Sequence, residues 1–199
     1  MLQGFVRPGG RMSESAVNAI GFHAGPAAEA ALEKLLGRDQ PESVRSRAVS
    51  WMGTTRGRRG VEKIKAILAS DPNDQVRRSA IHALAASGDA EAVQILETTA
   101  KSDRTASMRS EALRALARKG GAQALAALSS AIEGDPEREV RRNAVTALRS
   151  VPDGAGIPQL IAVAKSNGDA DMRKHAMSVL GQSGDPRAAV FFEDVLRAR

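Results

Sequence analysis

The sequence contains no cysteine and no tyrosine, and only one tryptophan and four phenylalanines among 199 residues. The missing thiols exclude disulfides, thiolate metal centres and a cysteine nucleophile, without identifying a compartment, since secreted proteins also lack cysteine at times. The scarcity of rings moves the apolar load onto Ala, Leu, Val and Ile, side chains suited to closely packed helices. No apolar run approaches the roughly 18 residues needed to cross a bilayer. The opening stretch MLQGFVRPGGRMSES lacks the apolar core of a signal peptide, so no membrane insertion is expected and the cytoplasm is favoured.

What the chain does have is positive charge and repetition. Its 29 basic and 23 acidic residues leave a net charge of +6, a bias toward acidic partners. The segments VRSRAVSWMG, VRRSAIHALA, MRSEALRALA, VRRNAVTALR and MRKHAMSVLG superpose without gaps. Their arginines, Arg45, Arg77, Arg109, Arg141 and Arg173, follow one another at 32-residue steps, as do Ala48, Ala80, Ala112, Ala144 and Ala176. A weaker copy, MSESAVNAIG, carries Ser13 where the others carry arginine. Periods of this length mark repeat architectures.

Within each unit apolar residues recur at helical spacing twice, as in Val76, Ala80, Ile81 and Leu84 and then Val93, Leu96 and Ala100, which predicts two helices. Short turns fall between them at 87–89, 119–121, 152–154 and 183–185, each carrying glycine. Longer joints carry Asp39, Asp71, Asp103 and Asp135, with Pro72 and Pro136 directly after an Asp; Asp-Pro stops a helix and starts a turn. The expected fold is all-α: an α-solenoid (superhelix) of about six 32-residue two-helix units. Residues 1–11 form an N-terminal segment in this reading, and 12–199 a single array.

The pattern Asp-Pro-x-x-x-Val-Arg-x-x-Ala-x-x-Ala-Leu, followed by Gly-Asp and a second amphipathic helix, resembles the HEAT-like repeats of the phycobilisome-lyase type. The resemblance covers roughly residues 12–199. It implies stacked helix pairs, with one helix of each pair lining a concave face, and a ladder made by the joint aspartates and helix arginines. The ladder members are Asp39 and Arg45, Asp71 and Arg77, Asp103 and Arg109, and Asp135 and Arg141, each pair six residues apart. A planar guanidinium with five donors can hold a carboxylate and nearby carbonyls together. Four equivalent copies suit an architectural role better than one active site. Asn167 before Arg173, and Ser13 in the first copy, predict a weaker ladder at both ends.

If the Arg-bearing helices line the concavity, the positions alternating with buried Ala and Leu point to solvent. Ser46, Ser50, Ser79, Ser110, Asn143, Thr146 and Ser178 fall there, beside the predicted partner-binding residues Arg47, Arg78, His82, Arg114, Arg118, Arg142, Lys174 and His175; the one acid is Glu111. The expected function is a non-catalytic macromolecular-interaction scaffold that binds a protein partner with an acidic surface through this basic face. The alternative is a module for the nucleic-acid phosphate backbone, which needs only cations, although stacking rings for single strands are lacking. A less favoured reading, suggested by the resemblance, is an accessory subunit of a chromophore-lyase-like enzyme, for which no nucleophile, base and orienting group recur.

Smaller motifs carry less. In GTTRGRRG at 53–60, Arg56, Arg58 and Arg59 form a candidate anion site ahead of a helix, without the Gly-Lys-Ser/Thr ending of a P-loop. His23, His82 and His175 fit no metal-ligand spacing. Asp169 and Asp171 are too few for a calcium loop and are expected to cap the next helix. No catalytic residue, metal or cofactor is expected. Trp51 stands where other copies have Ala83, Ala115, Ala147 and Val179, which favours packing over recognition. The last helix is apolar at Val190, Phe191, Phe192, Val195 and Leu196, so the chain is expected to be part of a longer protein or to contact another subunit at its ends.

Overall fold

The computed structural model describes residues 11–23, 25–166 and 168–197, with side chains from Ser15 onward. Nearly all of the predicted N-terminal segment, the Ser13 side chain and Asn167 lie outside the described residues. Among the described residues twelve α-helices follow one another: α1 (Arg11–Phe22), α2 (Pro26–Leu35), α3 (Glu42–Thr55), α4 (Gly57–Ser70), α5 (Asp74–Ala86), α6 (Ala90–Ser102), α7 (Ala106–Lys119), α8 (Gly121–Gly134), α9 (Arg138–Leu148), α10 (Ile157–Lys165), α11 (Ala170–Gly181) and α12 (Pro186–Arg197). No strand occurs among the described residues. The odd-numbered helices from α3 onward carry the repeated arginine, and each is followed by its even-numbered partner.

Local chemistry sets the helix ends. The Asn73 side chain accepts hydrogen bonds from the amides of Gln75 and Val76 at 2.8 and 3.1 Å, satisfying two donors that an α-helix leaves open at its start. Asp169 does the same for α11, accepting from Asp171 N at 2.8 Å and Met172 N at 3.4 Å. The PDG turn winds into a short 3₁₀ segment, Pro152–Gly154, before α10. The GTTRGRRG break is shorter than the sequence suggests: Gly53, Thr54 and Thr55 continue α3, and only Arg56 stands outside a helix.

The repeat is legible in the burial. Val44, Ala48, Val49 and Met52 of α3 are buried, as are their equivalents Val76, Ala80, Ile81 and Leu84, Met108, Ala112, Leu113 and Leu116, and Val140, Ala144, Val145 and Leu148. Burying one large aliphatic side chain contributes about 1.5–3 kcal/mol, so the three per helix other than alanine hold each helix against its neighbours. Backbones also approach closely. A Cβ at Gly60 would lie 2.0 Å from Met52 O, and one at Gly156 the same 2.0 Å from Leu148 O, so both positions require glycine for the helix crossing.

The chain divides into two compact units, Met1–Leu96 and Glu97–Arg199. In the first, α3 packs on α1, α2, α4 and α5, and α4 also packs on α5. Trp51 lies over Gly21 and donates from its indole nitrogen to Asn18 Oδ1 at 3.0 Å. Phe22 meets the indole edge-on at 4.7 Å while remaining 78% exposed. In the second unit, α9 packs on α7, α8, α10 and α11, and α12 packs on α10 and α11. Of the apolar residues of α12, Phe191 is buried whereas Val190 and Leu196 are exposed.

Candidate functional site

The ladder arginines leave the first turns of their helices and run into the interior: Arg45, Arg77 and Arg109 are buried, as are Asp71 and Asp135. The pairing differs from the six-residue spacing read in the sequence. Arg45 forms an ion pair with Asp71, and Arg109 donates from Nε to Asp135 Oδ2 at 2.7 Å and from Nη2 to Oδ1 at 2.9 Å. Both acids lie 26 residues downstream, in the joint after the next helix. The residue six positions upstream contributes its carbonyl instead: Arg109 Nη1 donates to Asp103 O at 2.9 Å, and Arg141 Nη1 to Asp135 O at 2.7 Å. An Asp that precedes the helix is pinned by its own turn, its carboxylate accepting the amide two residues on, as Asp135 does from Glu137 N at 2.9 Å, and this leaves its carbonyl for the following arginine.

The same register accounts for the ends. Asp39 is exposed and accepts from Gln40 Nε2 at 2.8 Å; the position 26 residues upstream is Ser13, which has no guanidinium. Arg77 donates to Leu68 O at 2.9 Å and lies 3.4 Å from Asp74 Oδ1. Asp103 accepts the Thr105 amide at 2.8 Å. Burial alone would raise the Asp135 carboxyl, but the Arg109 bonds, the Glu137 amide and the charges of Arg109 and Arg141 outweigh it and hold the group below its ordinary 3.8.

Of the predicted binding face, Arg47 and His82 are exposed and Arg78 half-buried in the first unit; Arg118 and Lys174 are exposed and Arg114, Arg142 and His175 half-buried in the second. Two expected solvent positions are in fact closed. Glu111 is only 8% exposed and lies 2.6 Å from Arg114 Nη2, and Ser110 is buried and accepts from Asn143 Nδ2 at 3.2 Å. The neighbouring α9 covers this side of α7, so Arg114 is matched rather than free. In α9 and α11 a relay joins adjacent repeats: Arg142 Nη2 donates to His175 Nδ1 at 3.4 Å, and His175 Nε2 donates to Thr146 Oγ1 at 2.8 Å.

Of the acids in the first turns of these helices, the sequence reading singled out only Asp171, as a cap. Glu42, Asp74, Glu139 and Asp171 open α3, α5, α9 and α11, where the helix dipole favours negative charge. Glu139 accepts from Asn143 Nδ2 at 3.2 Å, and Asp171 is ion-paired with Arg138. Each helix therefore presents acid at its start and base further along. The signal was present within one turn before Arg45, Arg77, Arg141 and Arg173, and is missing before Arg109, whose helix has no acid in its first turn. In the basic turn, Arg56 Nη2 donates to His23 O at 2.6 Å, while Arg58 Nε lies 4.0 Å from Glu91. Arg56 and Arg58 are thus engaged with different partners, with Arg59 exposed beside them, and the turn is not gathered around one point.

Six helix pairs on a 32-residue period among the described residues, with buried arginine–carboxylate rungs at Arg45–Asp71 and Arg109–Asp135, define an all-α solenoid of two-helix repeats. A family model described as HEAT repeats matches residues 28–117 and 125–199, and the chain belongs to that family. Among solved structures, the complex of CpcE and CpcF of phycocyanin lyase from Nostoc sp. PCC7120 is similar at 20% identity and a TM-score of 0.52, over 96% of this chain and 78% of that one. At that identity the likeness shows the fold alone. Human deoxyhypusine hydroxylase in complex with glycerol aligns over 97% of this chain and 87% of its own at 17% identity, with a TM-score of 0.45. No curated protein matches the sequence. The HEAT fold is generally non-catalytic and commonly mediates interactions, and no helix of the described residues is long and apolar enough to cross a membrane.

Proposed function

We propose that the protein is a non-catalytic interaction scaffold whose Arg-bearing helices bind a partner protein with an acidic surface. The observation that carries this reading is the charge left in solvent on those helices. Arg47 supplies it in the first unit with Arg78 half-buried beside it, and Arg118 and Lys174 in the second with Arg142 half-buried, while the acid interleaved with them, Glu111, is buried against Arg114 and the exposed acids Glu42, Asp74, Glu139 and Asp171 are confined to the helix starts. Exposed cations of this kind raise the rate of encounter with acidic partners and fix their register. The architecture supports the same reading, because residues one repeat apart stand side by side and can meet an extended partner at several points. Treating 12–199 as one array belongs to this proposal. So does the absence of catalysis: the rung charges Arg45 and Asp71, and Arg109 and Asp135, are paired to one another as supports, and where a hydroxyl meets an imidazole, at Thr146 and His175, the ring donates to it while its other nitrogen is taken by Arg142, so that ring is not placed as a base.

The test compares proteins captured by the wild type with those captured by a triple variant, Arg78→Glu, Arg142→Glu and Lys174→Glu. Acidic proteins should be retained by the wild type, lost by the variant, and released as salt rises to about 0.5 M, where exposed charges are screened within a few ångströms. Retention of the same proteins by both would sink the reading. A salt-dependent shift of duplex DNA that vanishes on charge reversal of Arg78, Arg114 and Arg142 would put the nucleic-acid alternative ahead.

A further inference from the structure

Two cavities in the Glu97–Arg199 unit are copies of one another, one repeat apart. The first, about 410 Å³, is lined by Glu97, Ala100, Lys101, Ala127, Asp135 and Pro136 among others. The second, about 540 Å³, has Ser129, Ile132, Glu133, Gln159 and Gly168 at the positions that a 32-residue step gives for Glu97, Ala100, Lys101, Ala127 and Pro136. The copies differ in what closes them. In the first, the wall includes the Asp135 carboxylate, and the arginine behind it, Arg109, is buried against that carboxylate through Nε and Nη2. In the second, the residue equivalent to Asp135 is Asn167, and the arginine itself, Arg141, lines the cavity.

Arg141 is held as Arg109 is, by Nη1 on the carbonyl six residues upstream at 2.7 Å, with Pro136 O at 3.3 Å. Among the described residues no hydrogen bond uses its Nε or Nη2, the edge that Arg109 gives to a carboxylate. Gln159 Oε1 is buried in the same wall without a hydrogen-bond partner among the described residues. Turning that amide over would present its NH₂ to an anion. Ile132, Ala162, Val163 and Met172 supply apolar wall, and the volume is that of a small-ligand site. Two carboxylates also line the cavity: Asp169 is committed to the amides of Asp171 and Met172, and Glu133 is exposed, where water and salt screen it.

We propose that this cavity binds a short aliphatic carboxylate whose head group completes the unfinished rung on the Nε–Nη2 edge of Arg141 while its stem lies against Ile132, Val163 and Met172. A guanidinium edge and a carboxylate match bidentately, and the neighbouring copy shows the same match made within the chain. The proposal is independent of the binding role given to the Arg-bearing helices.

Hexanoate titration followed by NMR, with hexanol and hexylamine as controls, tests it on the full chain. Hexanoate should saturate with a Kd on the order of 1 mM, suited to a ligand of this size, and shift resonances of Gln159 and Met172. Asn167→Asp restores the rung from within; it should weaken hexanoate binding by about tenfold or more and raise Tm, which keeps the test clear of misfolding. Arg141→Gln should lose binding as well. Hexanoate binding to Asn167→Asp as it does to the wild type, equal binding of hexanol, or no saturation would overturn the proposal. Tighter binding of an acetylated glutamate amide than of hexanoate would overturn the small-molecule assignment, giving the cavity to a protein side chain.

Discussion

Arg109 and Asp135, 26 residues apart, meet through two parallel hydrogen bonds of 2.7 and 2.9 Å while the third arm of the same guanidinium holds Asp103 O. One side chain therefore binds the joint before its own helix and the joint after the next, so the angle between successive helix pairs is fixed at a buried point rather than by packing alone.

Removing one partner leaves the other charged and buried. Arg109→Ala or Asp135→Ala is expected to lower the unfolding free energy by about 3–5 kcal/mol in urea titrations, and Arg109→Met with Asp135→Leu to recover much of the loss. Single variants within about 0.5 kcal/mol of the wild type would put the pair with exposed ion pairs, which contribute little.

The pH dependence has a definite sign. Because the Asp135 carboxyl is held below 3.8, its contribution is present above that value and is lost as pH falls through the lower folded one. Acid unfolding followed by circular dichroism should be less steep for Asp135→Asn than for the wild type. Equal slopes would mean that other carboxylates govern the acid limb.

The helix pairs and the buried Ala and Leu positions were legible because each recurs five times at one spacing, and repetition averages out local ambiguity. The rungs were less so. In a 32-residue period, a joint aspartate six residues before one arginine is also 26 residues after the preceding one, so spacing alone cannot say which arginine takes its carboxylate. Only the ends break the tie, where Asp39 has Ser13 upstream and Arg141 has Asn167 downstream. The closing of Glu111 and Ser110 was invisible for a different reason: it depends on how near α9 lies to α7, a distance no periodicity encodes.

Protonation of His175 should weaken the fold. Burial and the Arg142 charge lower its pKa from the ordinary 6.5, against the Arg142 backbone contact and Glu139, which raise it. The neutral ring is the one that accepts from Arg142, so the stability it confers is full above 6.5 and falls as pH drops toward the lower folded value. The Tm of His175→Gln should change less than that of the wild type between about pH 7 and pH 5. A ring titration midpoint above 6.5 by NMR would refute this.

Glycine substitutions should separate close crossings from open ones. A Cβ at Gly21 would fall 2.1 Å from the Trp51 ring, whereas one at Gly25 meets nothing within 4 Å. Gly21→Ala is expected to cost about 1–3 kcal/mol and to shift Trp51 emission, since the ring must move. Gly25→Ala should leave the emission unchanged and cost less than about 1 kcal/mol, through the N-cap of α2 alone. Unaltered emission in Gly21→Ala would show that the indole does not rest on that glycine.

Gly156→Ala, which brings a methyl within 2.0 Å of Leu148 O, should cost a similar 1–3 kcal/mol or so by forcing α9 and α10 apart. Thermal unfolding measures it, with Gly181→Ala, which meets nothing within 4 Å, expected to be neutral or mildly stabilising.

The unequal rungs bear on how such a protein can be altered. Drawing every copy toward the consensus of its sibling repeats is a common route to a hardier array, and the siblings of position 167 are Asp39, Asp71, Asp103 and Asp135. On the proposal made above, that edit offers Arg141 the kind of carboxylate that Arg109 already has. The repeat that departs from its siblings is thus the one through which sturdiness and responsiveness to the surroundings can be exchanged, a single side chain at a time.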